Sequence, residues 1–135
     1  MRFALVIASL AMVPPGILAR TQNKTTQDGV YTEAQAKRGD AIYGRACASC
    51  HGVDLAGEGQ TPPLAGKEFE EEWKNAPLSD LFERIRATMP GDAPGTLKPE
   101  EVADAMAYLF SRAKFPAGQS QLSGDVAELK QITFR

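Results

Sequence analysis

The sequence predicts a small all-α domain, on three observations. Apolar residues recur at helical spacing in two clear stripes, Leu78/Leu81/Phe82/Ile85 and Val102/Ala105/Met106/Leu109. No window beyond the N-terminal apolar run shows the alternation of a half-buried strand. The third observation is a cluster: the only two cysteines and the only histidine of 135 residues fall together in Cys47-Ala48-Ser49-Cys50-His51. With 24% charged residues and a formal net charge of −2, the chain has no basic stripe, which disfavours nucleic-acid binding. Its length allows one small domain plus ends, and a domain of this size has a thin core that benefits from a staple.

Met1-Arg2 is a minimal positive start, and Phe3 to Val13 is an apolar run broken by Pro14-Pro15-Gly16. Ile17-Leu18-Ala19 then offers a cleavage site. This fits a signal peptide over 1–19, since the run is short of the about 20 residues of a membrane span; an uncleaved anchor is the alternative. Residues 20–30 are polar, lack apolar periodicity, and read as a flexible linker.

Thr32 with Gln35 three residues on forms a capping-box start. Ala36, Gly39, Tyr43 and Ala46 follow at helical spacing into Cys47. Gly39 lowers helix propensity, which is acceptable where a second helix must approach closely. Gly52, Gly57, Gly59, Pro62, Pro63 and Gly66 mark a loop. The stretch 67–76 carries Phe69 and Trp73 at i, i+4 among glutamates. That pattern means core packing first, with the Trp73 indole N–H as a donor second. Ser79 is the expected cap of the next helix, which Pro90 ends immediately after Met89. The last domain helix starts with Pro99, has Glu100 and Glu101 in its first turn, and pairs Leu97 with Val102.

The cysteine–histidine cluster is the chemical signal. Chance placement gives C-x-x-C-H on the order of one time in ten thousand. On one helical turn, positions i, i+3 and i+4 share a face. Two thiols there can add to the two vinyl groups of one haem while the imidazole reaches its iron, so the motif reads as covalent haem c attachment with His51 as proximal ligand. A dithiol redox motif would call for a βαβ pattern, and zinc for about four N or S ligands; neither is visible. A haem also supplies the apolar nucleus and staple the short chain lacks. With no second histidine, the other axial ligand must come from elsewhere. Met106 sits in a core stripe, whereas Met89 closes a helix before a Pro/Gly loop, and the position favours Met89. A six-coordinate iron has no free site for substrate, which favours electron transfer; a haem enzyme or gas sensor with an open distal site is the alternative.

With these residues in view, the stretch 30–118 resembles a class I c-type cytochrome. The likeness rests on C-A-S-C-H at 47–51, P-P-L-A-G at 62–66, T-M-P at 88–90 and the last helix with Tyr108. It implies a small cytochrome c fold over 31–118, wrapped around one covalent haem c. The Pro62 carbonyl would orient His51, Leu64 would pack on the porphyrin, and Met89 would be the distal ligand. Gly39 and Tyr43 would cross Tyr108. Lys98 departs from the pattern at the last helix's N-cap, where Ser or Asp is expected. More narrowly, 81–95 and the ending A-E-L-K-Q-I-T-F resemble cytochromes that accept electrons from quinoprotein dehydrogenases. That implies a periplasmic carrier between such a dehydrogenase, or another one, and a respiratory acceptor such as a terminal oxidase. After signal cleavage it would have no stable membrane insertion. The tail 119–135 carries Leu122, Val126, Leu129 and Ile132. It reads either as a segment folded back on the domain or as a docking element.

Overall fold

The computed structural model describes residues 23–135, so the signal peptide expected over 1–19 lies outside the described residues. Along the chain come β1 (Lys24–Thr25), a 3-10 turn (Thr26–Asp28), α1 (Glu33–Ala46), α2 (Ala48–His51) and α3 (Lys67–Trp73). They are followed by α4 (Leu78–Thr88), α5 (Pro99–Arg112), α6 (Val126–Leu129) and β2 (Ile132–Thr133). The fold is thus mostly helical, as the spacing predicts. Among the described residues its strands are one two-residue parallel pair, Lys24 beside Ile132 and Thr25 beside Thr133. Two residues cannot display an alternation, so this pairing leaves no periodic trace in the sequence.

The crossing of α1 and α5 is the scaffold. A side chain at Gly39 would collide with the Asp104 carbonyl and the Tyr108 Cβ, so glycine is what lets the two helices meet. One turn on, the Tyr43 and Tyr108 rings pack with centroids 5.1 Å apart and planes tilted by 40°. Arg38 closes the side of the crossing with a two-pronged contact on Asp104, at 2.8 and 2.9 Å. Below it, α5 buries every residue from Val102 to Phe110, including Met106.

Both ends of the described segment fold into this body. The linker expected over 20–30 is, from Lys24 on, a packed segment. Thr26 is fully buried; its hydroxyl donates to the Arg135 carbonyl at 2.6 Å, and the Arg135 N–H donates back to the same oxygen at 3.0 Å. Val30 and Tyr31 enter the core, and the Tyr31 hydroxyl donates to the Phe115 carbonyl at 2.7 Å. The tail is folded back: Leu122, Leu129 and Phe134 are buried in the same core. Polar composition suggested a linker because the partners that satisfy these groups lie some hundred residues away.

Two local expectations also change. Thr32 does cap α1, accepting from Gln35 N–H at 3.2 Å. The Gln35 side chain, however, turns to the tail, donating to the Leu122 carbonyl at 2.9 Å and accepting from its N–H at 2.7 Å. A buried amide with both halves satisfied is better placed there than in a solvated box. Ser79 is not the cap of α4: the helix begins at Leu78 behind Pro77, and Ser79 is buried in its first turn. At α5, Glu101 compensates for Lys98 by accepting the Lys98 backbone N–H at 3.0 Å.

Candidate functional site

Cys47 ends α1 and opens the single turn α2, so the five-residue cluster is a helix-to-helix corner. The Cys47 carbonyl accepts from the N–H groups of Cys50 and His51 at 3.2 and 2.9 Å, which places the second thiol and the imidazole one turn above the first thiol. The Tyr43 hydroxyl donates to the Gly52 carbonyl at 2.6 Å and holds the exit of the turn. Burial pushes the Tyr43 phenol up to about 12, so it stays a donor throughout the neutral range. Burial likewise pushes the Cys47 thiol above its ordinary range. Cys50 is exposed, and the two cysteines are not joined to each other as a disulfide.

The loop after His51 returns its backbone to the imidazole. Gly57 N–H donates to the His51 carbonyl at 2.9 Å, and Leu64 N–H donates to the Leu55 carbonyl at 2.9 Å. Leu55 is fully buried yet holds a φ of 65°, a left-handed conformation that costs a branched residue about 1–2 kcal/mol and is offset by its burial. Gly57 has φ 72°, and a Cβ there would run into the Thr61 and Pro62 backbone. The loop can therefore close, and His51 Nδ1 lies 2.9 Å from the Pro62 carbonyl oxygen. A carbonyl only accepts, so Nδ1 carries the proton and Nε2 keeps its lone pair for a metal. The carbonyl also fixes the ring's orientation.

These groups face a cavity of ≈ 450 Å³ that brings together all six residues singled out in the sequence: Cys47, Cys50, His51, Pro62, Leu64 and Met89. Met89 ends α4, its N–H bonded to the Ile85 carbonyl at 2.9 Å. Met106, the other methionine among the described residues, is fully buried in the core and does not line the cavity. The remaining wall is largely apolar: Phe69 and Trp73 from α3, Leu81 and Ile85 from α4, and Ala105 and Leu109 from α5. Arg84 joins the lining, within 3.9 Å of Glu72. Sequence spacing pointed to core packing for most of these side chains, because an apolar stripe looks the same whether it faces protein or a flat apolar ligand.

The donor set and the cavity suit a haem better than a bare metal ion. Among the described residues no three His, Cys, Asp or Glu side chains converge on a metal-binding point. The two thiols and the imidazole are instead distributed along the edge of a space in the range of cofactor pockets. An imidazole nitrogen with its lone pair free and a thioether are donors of the types that hold haem iron.

Comparison with known proteins bears on the family. The family described as "Cytochrome C oxidase, cbb3-type, subunit III" matches residues 34–109, more than half of the chain. A "Cytochrome c-554(547)" of Halothiobacillus neapolitanus is 33% identical over 103 residues, covering 70% of this chain and 97% of that protein. A "Cytochrome c" of Gossypium barbadense is 32% identical over 96 residues, covering 55% of this chain and 86% of its own length. No solved structure matches the chain significantly.

Proposed function

The chain belongs to the class I c-type cytochromes, and from that premise we propose a monohaem periplasmic carrier that moves one electron at a time between a dehydrogenase and a respiratory acceptor. Membership makes it an electron-transfer protein that works with a haem c iron and redox partners. The finer assignment is ours. Cys47 and Cys50 would hold the haem covalently through its two vinyl groups, each S–H adding its sulfur to one carbon and its hydrogen to the other. His51 Nε2 and Met89 Sδ would hold its iron, and Leu64 would pack against the ring. When bound, the haem supplies the one-electron couple. A thioether ligand would favour the ferrous state, and the Pro62 carbonyl fixes the orientation of the His51 ring. The apolar wall keeps water out and holds the geometry alike in both redox states. Among the described residues no helix is long and apolar enough to cross a membrane.

The observation that carries the reading is the Pro62 carbonyl on His51 Nδ1, which leaves an imidazole prepared for iron beside both thiols in the cavity that Met89 also lines. The likeness of 81–95 and of the chain's ending to acceptors of quinoprotein dehydrogenases makes such a dehydrogenase the preferred donor. Partner contacts of this class bury little surface, in keeping with transient encounters.

Visible absorption of the oxidised and reduced holoprotein tests the assignment. The wild type should show the far-red ferric methionine–iron band, and Met89→Ala should lose it while keeping covalent haem. A wild type without that band whose reduced form takes up carbon monoxide readily would replace the carrier by an open-site sensor or enzyme.

A further inference from the structure

The wall formed by α3 has weak support of its own. It is a seven-residue helix with one buried side chain, Phe69, which is 2% exposed. Helices this short do not hold themselves together in water and depend on tertiary contacts. Its link to α4 is the exposed pair Glu72–Arg84 at 3.9 Å, an interaction of little weight. Yet α3 contributes Phe69 and Trp73 to the cavity.

What holds it is the end of the chain. The Phe134 ring, 2% exposed, meets Phe69 edge-on at 5.9 Å and packs at the same time on Phe110 and Phe115, at 6.1 and 5.4 Å. Its backbone clasps the exit of α3: Asn75 N–H donates to the Phe134 carbonyl at 2.9 Å, and Phe134 N–H donates to the Ala76 carbonyl at 2.9 Å. Pro77 bridges to Thr133 immediately beside them. Behind Phe134, Arg135 is tied to the buried Thr26 and β2 to β1, so the clasp is anchored at both ends.

We propose that Phe134 is a positioning residue for the haem pocket: through Phe69 and the Asn75/Ala76 backbone it presses α3 and Trp73 against the cavity and thereby sets how dry, and how oxidising, the bound haem is. The inference rests on the haem-holding reading above. The sign follows from charge. A ferric haem core carries one positive charge more than a ferrous one, and water stabilises that charge, so a closed α3 wall raises the reduction potential and an open one lowers it.

The test is Phe134→Ala in the holoprotein, with Phe134→Leu as the conservative variant and Leu122→Ala as the control. Leu122 is buried, its carbonyl bonded to Gln35 near the start of α1, and it does not line the cavity. Trp73 is the single tryptophan, so its fluorescence, quenched by a neighbouring haem, reports the wall directly. Phe134→Ala should lower the midpoint potential and raise Trp73 emission severalfold, Phe134→Leu should restore most of both, and Leu122→Ala should lose stability with neither shift. If Phe134→Ala does not accumulate as folded holoprotein, Phe134→Val makes the same measurement. Wild-type potential and quenching in a merely destabilised Phe134 variant would overturn the proposal, leaving Phe134 as core filler. A wild type whose Trp73 is unquenched and whose purified form carries no haem would overturn the underlying reading instead.

Discussion

The two sides of the cavity are built in opposite ways. The side with the thiols and imidazole is one continuous stretch, Cys47 to Leu64, and its key contacts are backbone hydrogen bonds within that stretch: Cys47 to His51, His51 to Gly57, Leu55 to Leu64. The side with Met89 is assembled from α3, α4 and α5, separated in sequence, and is braced by residues at the far end of the chain. Local backbone pairing makes the first side largely self-defining. The second exists only once the whole chain has folded. Damage should accordingly act differently on the two: loss of the thiols should remove the attachment outright, whereas damage on the methionine side should leave it in place.

The largest effect, and the sharpest form of that contrast, is expected from Cys47→Ser with Cys50→Ser. Haem staining after denaturing electrophoresis should disappear, whereas Met89→Ala should keep the stain and lose only its axial ligand. Equal retention by both would erase the distinction between the sides. Next comes the scaffold that both share. Gly39→Val drives two further methyl groups toward the Asp104 carbonyl and Tyr108, and denaturant unfolding should show a loss of about 3 kcal/mol. A loss well under 1 kcal/mol would mean that the helices can separate without consequence.

A smaller effect is expected within the histidine-side loop. Gly57→Ala places a Cβ at φ 72° into the Thr61–Pro62 backbone, so stability should fall by about 1–2 kcal/mol. The Pro62–His51 contact should loosen, with a shift of the histidine ring resonances by NMR; unchanged resonances would show that the loop has slack. The smallest is Tyr43→Phe, which removes the donor to Gly52 and should cost about 1 kcal/mol at neutral pH. The Tyr43 phenol titrates higher in the folded state than in the unfolded one, so its contribution is complete below about 10, the ordinary tyrosine value, and is lost as pH rises toward about 12. Wild type and Tyr43→Phe should therefore converge in stability over that alkaline window. Parallel curves would separate the phenol's ionisation from folding.

By itself the sequence determined the helical class, the one-turn cysteine–histidine corner and the methionine before its proline. Each depends on neighbours within a few residues or on the rarity of the residue type, and both survive as pattern in a linear string. The tertiary structure alone decided that Gln35 turns from its cap to Leu122, that Thr26 and Arg135 join the two ends of the described segment, and that the apolar faces of α3 and α4 line a cavity. It also decided that Phe134 closes over α3. Those contacts pair groups tens to more than a hundred residues apart, and burial satisfies polar atoms and apolar faces without regard to their order along the chain.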